Sequence, residues 1–210
     1  NWALFAKEFF FPVPFLSDWS SSFYYPSDYT AGYTAITTTI EEAVQAGAEA
    51  VICSLFIEED KAQEREVENV RLFSEVVRQK EKLGIPLIGE CYVVEHNDMT
   101  KEQLHQKVKR VTRVMAELGA DLIKTFFTGD NFNEVAENTP VPVFTIGAEK
   151  LNTDLDVLKK AYNSVQKGAR GIIFGRNIFM AEKPKELIAA LNEVINDNVL
   201  PKTALEKYNL

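Results

Sequence analysis

The sequence predicts an α/β fold built from parallel βα units, and three observations lead to that prediction. From about Thr34 onward, amphipathic helical stretches alternate with short, β-branched apolar runs. Most of these runs are nearly continuous in apolar residues, which is typical of strands covered on both faces. Three helical stretches end in a Gly-Ala pair, at Gly47, Gly119 and Gly168, where a left-handed cap and a tight turn into the next strand are expected.

The elements follow in order along the chain. Strands are predicted at residues 13–16, 50–57, 85–93, 121–127, 141–146 and 171–174, and helices at roughly 35–46, 61–82, 100–118, 131–137, 153–167 and 184–196. The tract 17–33 has no period and predicts a long loop, and residues 197–210 predict a tail or short polar helix. Six units are two short of a closed barrel. Either a (βα)8 barrel has its leading units before Asn1, or the sheet is open and doubly wound.

Composition limits the classes of function. A chain of 210 residues with 46% apolar and 26% charged residues is expected to form a single domain over 1–210. Its net charge of −8 and the lack of a dense basic block argue against a nucleic-acid partner. No stretch is long and apolar enough to predict a membrane span.

Cys53 and Cys91 lie inside apolar runs, which favours a reduced, cytoplasmic setting, and no metal site is expected. His105 is expected to be a solvated helix residue.

The segment 118–127 is the most informative one, because it places Lys124 inside a predicted strand of mostly apolar residues. Alternate side chains of a strand face opposite ways, so Lys124 shares a face with Phe126. If that face is the interior, desolvation disfavours the ammonium form and frees neutral amine to attack a carbonyl. The competing interpretation is a lysine whose charged head reaches solvent. Spacing alone weighs the two about equally.

Glu90 and Tyr92 lie two residues apart in the predicted strand 85–93 and therefore face the same way. That strand precedes the Lys124 strand by one βα unit, and consecutive parallel strands of a barrel usually pair. A phenol and a carboxylate beside the lysine could perform the proton transfers of imine chemistry. The alternative is structural, with Tyr92 filling the interior and Glu90 holding Lys124 as a buried ion pair.

Two late loops, at 146–150 and 174–179, each follow a predicted strand. In barrels, the loops after the last two strands often cradle a phosphate with backbone amides. Gly147 and Gly175 permit close approach of the backbone, and Arg176 could add charge-assisted hydrogen bonds. Each loop taken singly is also compatible with an ordinary turn after a strand.

Together these motifs resemble the class I aldolases of the archaeal fructose-bisphosphate aldolase group, within the deoxyribose-phosphate and tagatose-bisphosphate aldolase superfamily. The resemblance covers about residues 12–196. It is carried by Gly-Ala-Asp-Leu-Ile-Lys-Thr-Phe-Phe at 119–127, Pro-Val-Pro-Val-Phe-Thr-Ile-Gly-Ala at 140–148 and Lys-Gly-Ala-Arg-Gly-Ile-Ile-Phe-Gly-Arg-Asn-Ile-Phe at 167–179. It implies a (βα)8 TIM barrel with the first two βα units absent from this chain, which is then N-terminally incomplete.

The resemblance also implies a chemistry. Lys124 corresponds to the group's Schiff-base lysine, and Tyr92 to its general acid/base, with Glu90 as a further candidate for proton transfer. The implied activity is reversible carbon–carbon cleavage of a phosphorylated sugar or ketose by a homo-oligomer, without a cofactor. The implied phosphate-binding positions are Gly147, Ala148, Gly175 and Arg176.

Three departures from the group's pattern keep other functions open. Ala148 stands where relatives usually have a second glycine, Glu90 stands where the group tends to have a tryptophan, and the group's first-strand aspartate has no counterpart in the chain. One alternative is a transferase of the same superfamily that acts on a phosphorylated ketone through the same lysine. The other is a catalytically impaired barrel that binds phosphosugars.

Overall fold

In the computed structural model of the chain, residues 36, 38–57, 63–93 and 98–210 are described, and helices and strands alternate along them. The strands are β1 (Val51–Leu55), β2 (Leu87–Cys91), β3 (Leu122–Thr125), β4 (Val143–Ile146) and β5 (Gly171–Ile173). The helices are α1 (Ile40–Gln45), α2 (Gln63–Leu83), α3 (Lys101–Leu118), α4 (Phe132–Asn138), α5 (Asp154–Gln166), α6 (Arg176–Phe179), α7 (Pro184–Asn196) and α8 (Pro201–Lys207). In the sheet the strands follow chain order, from β1 to β5.

The chain divides into two compact units, Asn1–Ile123 and Lys124–Leu210, with the boundary inside β3. In the first unit, β1 and β2 are parallel, with Val51 opposite Leu87 and Leu55 opposite Cys91. All five residues of β1 are buried, as expected for a strand covered on both faces. Helix α2 packs against β1, and α3 packs against β2.

The helix ends follow from short sequence signals. Thr39 and Thr100 begin α1 and α3 with capping boxes, in which threonine and the residue three positions later bind each other's backbone N–H. The predicted left-handed caps are confirmed, since the φ angles of Gly47, Gly119 and Gly168 are +88°, +114° and +98°. The following alanines complete a Schellman motif by donating to carbonyls five residues earlier: Ala48 to Ala43, Ala120 to Met115 and Ala169 to Ser164.

A partly buried ion pair ties three elements of the first unit together. Lys80, near the end of α2, donates to both carboxylate oxygens of Asp121 at 2.9 and 3.0 Å. Asp121 Oδ2 also accepts from the backbone N–H of Leu87 at 2.7 Å. The pair therefore joins α2 to the start of β2 and to the residue that leads into β3.

In the second unit, β4 and β5 are parallel, with Phe144 opposite Gly171 and Ile146 opposite Ile173. Residues predicted as a C-terminal tail include α8, which packs against α5 and α7. Phe174 and the buried faces of these three helices form one apolar cluster: Val157, Leu158, Ala161, Phe174, Leu187, Ala190, Leu191, Val194 and Ala204.

Each predicted strand from residue 50 onward contains an observed strand of somewhat shorter extent. The predicted strand 13–16 and the predicted loop 17–33 lie outside the described residues. The expectation that His105 is solvated is wrong, because only 3% of the residue is exposed. His105 lies on the buried face of α3, at helical spacing from Val108, Thr112 and Met115.

Candidate active site

Lys124 lies on β3 between two completely buried residues, Ile123 and Thr125. A Cβ atom added to Gly89 would lie 3.2 Å from Ile123 Cδ1 and 2.8 Å from Met115 Cε, so Ile123 faces the side of the sheet on which α3 packs. Because side chains alternate along a strand, Lys124 projects from the opposite face of β3. Lys124 itself is half-buried.

Glu90 lies on β2 directly opposite Ser54 on β1. Both residues are buried, and the Ser54 hydroxyl donates to Glu90 Oε2 at 3.1 Å. Glu90 follows Gly89 and so projects from the face of β2 away from α3. This hydrogen bond fixes the carboxylate on that face, and sequence reasoning did not identify Ser54 as its partner. Tyr92, the second predicted proton-transfer residue, is half-buried one residue beyond the end of β2.

The loop after β4 contains two of the predicted phosphate-binding residues. Gly147 has no room for a side chain, since an added Cβ would lie 2.8 Å from Asn177 Nδ2 and 3.2 Å from Phe174 Cδ1. Ala148 has a φ of +54°, in the left-handed region that favours glycine. The glycine that the resembled group has at this position would therefore fit the backbone better than alanine does.

The loop after β5 contains Gly175 and Arg176, and it differs from the first loop in its free space. An added Cβ at Gly175 would meet no atom within 4 Å. Gly175 precedes the short helix α6, and its carbonyl accepts from the N–H groups of Ile178 and Phe179 at 2.9 and 3.0 Å. Arg176, the first residue of α6, is exposed.

Asn177 joins the two loops. Its side chain is buried with 2% exposure, and its Oδ1 accepts from the N–H of Leu151 at 2.7 Å. Its Nδ2 donates to the carbonyl oxygens of Glu149 at 3.0 Å and Gly147 at 3.4 Å. The structure therefore brings together the loops that contain the four predicted phosphate-binding residues. Sequence reasoning passed over Asn177, because the backbone groups that it binds lie 26 to 30 residues away along the chain.

Lys160 also holds the loop after β4, through a backbone carbonyl. It lies on α5, and its Nζ donates to the carbonyl oxygen of Gly147 at 2.9 Å. Burial disfavours the ammonium form and lowers the pKa of Lys160 from its usual value of 10.5. The Gly147 carbonyl thus has two side-chain donors, Lys160 and Asn177.

The described part of the chain offers no cluster of three or more His, Cys, Asp or Glu side chains that could hold a metal ion. None of the described helices is both long and apolar enough to cross a bilayer.

Comparison with known proteins gives the chain a family. The model of the DeoC/LacD family aldolases matches residues 13–181. An uncharacterized aldolase of Saccharolobus solfataricus is 34% identical over 174 residues, which are 81% of this chain and 63% of the relative. A 3-hydroxy-5-phosphonooxypentane-2,4-dione thiolase of Yersinia enterocolitica is 29% identical over 174 residues, or 83% of this chain and 57% of the relative. The chain thus spans less than two thirds of the length of these curated relatives.

Solved structures agree with the family match. The structure of an archaeal fructose 1,6-bisphosphate aldolase has a TM-score of 0.75 at 26% identity, over 87% of this chain and 70% of that chain. A structure of a Schiff-base-forming fructose-1,6-bisphosphate aldolase has a TM-score of 0.74 at the same identity and coverage. This likeness confirms the predicted α/β barrel class over the open doubly wound sheet. The chain belongs to the DeoC/LacD family of aldolases.

Proposed function

We propose that the chain acts as a class I aldolase on a phosphorylated ketose, with Lys124 as the nucleophile. The observation that carries the proposal is the position of Lys124 on the face of β3 opposite Ile123, which faces the α3 side of the sheet. Lys124 is half-buried on that face of a parallel strand, and its primary amine is the type of nucleophile that forms an imine with a carbonyl. The likeness to a solved Schiff-base-forming aldolase supports the same role.

In the proposed reaction, the neutral Lys124 amine attacks the substrate carbonyl, and the carbinolamine loses water to form an iminium ion. A base then removes the proton of the hydroxyl on the β-carbon. The bond between the α- and β-carbons breaks, and the fragment with the β-carbon leaves as an aldehyde. The electron pair of the broken bond moves to the iminium ion, which becomes an enamine. Protonation of the α-carbon and hydrolysis release the second product and regenerate the amine.

Tyr92 and Glu90 are the proposed proton-transfer groups for these steps. The hydrogen bond from Ser54 supports this role for Glu90, because a carboxylate that accepts a hydrogen bond is held in a fixed orientation. For Tyr92 the support is the resemblance to the group's acid/base tyrosine together with its place just after β2.

The phosphate of the substrate is proposed to bind at the loops after β4 and β5. Arg176 offers exposed charge there, and the open space beside Gly175 leaves its backbone accessible. The contributing positions are Gly147, Ala148, Gly175 and Arg176.

Reductive trapping tests the nucleophile. Borohydride added with dihydroxyacetone phosphate is expected to fix a covalent adduct on Lys124, detected by peptide mass mapping. The adduct should be absent from K124M and should persist in K159M, which removes an exposed lysine of α5. Absence of any adduct at several pH values, or an adduct on another lysine in K124M, contradicts the proposal. Ligand binding without an adduct would favour the impaired phosphosugar-binding barrel.

A second candidate is a transferase that uses the same lysine, and the thiolase of Yersinia enterocolitica among the relatives favours it. The thiolase and aldolase reactions share cleavage next to a carbonyl but differ in what accepts the released fragment. Product analysis after incubation with phosphoketoses, with and without coenzyme A, separates the two. A product that forms only with coenzyme A and contains it identifies the transferase.

A further inference from the structure

The loop after β4 is held by the buried side chain of Asn177, and its Gly147 carbonyl is also held by Lys160. Asn177 donates to the carbonyls of Gly147 and Glu149 and accepts from the N–H of Leu151, so it binds every second residue of 147–151. A second contact between the two loops is made by Lys150, whose Nζ donates to the carbonyl of Met180. The loops after β4 and β5 are thus held together as one piece.

These hydrogen bonds fix the direction of the neighbouring N–H groups. A trans peptide unit points its C=O and its N–H in opposite directions. The carbonyl of Glu149 points toward Asn177, and that of Gly147 toward both Asn177 and Lys160. The N–H groups of Ala148 and Lys150, which share those peptide units, therefore point away from these donors. Within the described part of the chain, neither N–H donates to another group. Two backbone donors are therefore presented away from the Asn177 side of the loop.

We propose that Asn177 is a positioning residue that holds the two loops as a preformed cradle for the phosphate of the substrate. This inference rests on the proposed phosphate-binding role of the loops. Backbone donors that are already oriented do not have to be ordered when an anion binds, and this lowers the cost of binding. Asn177 itself is 2% exposed, and its side-chain amide is hydrogen-bonded to the loop. It is therefore proposed to affect phosphate binding only by orienting the loop backbone.

The test measures how strongly Lys124 trapping depends on the phosphate of the ligand. Two ligands are compared, dihydroxyacetone phosphate and dihydroxyacetone, by the concentration that gives half-maximal borohydride-fixed adduct. N177A removes the hydrogen bonds and most of the side chain. N177L removes the hydrogen bonds but keeps the number and branching of the side-chain heavy atoms, and it covers the case in which N177A does not fold. Either variant is expected to raise the half-maximal concentration of the phosphorylated ligand about tenfold and to leave that of dihydroxyacetone unchanged.

A matched control separates positioning from general loss of stability. Thr139, the residue that follows α4, is also buried. Its hydroxyl donates to the carbonyl of Val135 in α4 at 2.8 Å. T139V should lower the melting temperature without changing the preference for the phosphorylated ligand. R176A is expected to raise the half-maximal concentration of the phosphorylated ligand only. The positioning role is refuted if the Asn177 variants instead raise the half-maximal concentrations of both ligands equally, or of neither. If wild-type protein traps neither ligand, the proposed function fails first.

Discussion

The contrast between Gly147 and Gly175 gives a prediction that separates folding from ligand binding. At Gly147, an added Cβ would lie 2.8 Å from Asn177 Nδ2 and 3.2 to 3.3 Å from the ring of Phe174. Neither neighbour can retreat easily, because Asn177 holds the loop by three hydrogen bonds and Phe174 belongs to the apolar cluster. G147A should therefore destabilise the protein by about 1–3 kcal/mol, as overpacking does.

At Gly175 the same methyl group meets nothing within 4 Å. G175A should consequently change the free energy of unfolding by no more than about 0.5 kcal/mol. The methyl group would nevertheless occupy the open space that the proposal assigns to the phosphate. G175A is therefore expected to weaken trapping with dihydroxyacetone phosphate while melting like the wild type.

Thermal melts and ligand-dependent trapping on the same two preparations measure both effects. The expected fall in melting temperature for G147A is roughly 2–12 °C in a chain of this size. The geometric argument is refuted if G175A melts as low as G147A does. If G175A binds the phosphorylated ligand as well as wild type, the space beside Gly175 is not where the phosphate lies.

Two further predictions concern the same loop. A148G should relieve the cost of a left-handed alanine, about 1–2 kcal/mol. The entropy penalty for glycine, about 0.5–1 kcal/mol, opposes this gain. The melting temperature should therefore rise slightly, and a fall would mean that the alanine methyl group makes stabilising contacts. Because burial lowers the pKa of Lys160, the folded protein releases that proton before the unfolded chain does, so wild-type stability should rise as pH increases from neutral toward 10.5. K160M lacks this titration, and denaturant unfolding at several pH values should give it a flatter profile; equal slopes would contradict the argument.

Local signals were sufficient to predict most of the architecture. The Gly-Ala pairs identified three helix ends because a left-handed cap needs only its own few residues. Alternation along β3 likewise predicted that Lys124 and Ile123 face opposite ways. The burial of His105 was missed because its polarity was weighed above its helical spacing from Val108 and Met115, which places it on the buried face of α3.

The side-chain hydrogen bonds that hold the candidate phosphate loops could not be predicted from local signals. Asn177 binds backbone groups 26 to 30 residues away, and Lys160 binds a backbone carbonyl 13 residues away. Every residue has a carbonyl, so the partner of such a bond leaves no mark in the sequence. The glycine at 147 is the one trace of the arrangement, since its missing side chain makes room for Asn177.

Ala148 connects these observations. At the three Gly-Ala helix ends, glycine adopts the left-handed conformation without a steric cost, whereas Ala148 adopts it with a Cβ present. The carbonyls on both sides of Ala148, those of Gly147 and Glu149, are held by Asn177, and that of Gly147 also by Lys160. A strained residue persists where its surroundings determine its conformation. A loop that only links β4 to α5 would gain nothing from such support, whereas one that presents two N–H groups to an anion gains a fixed direction for both.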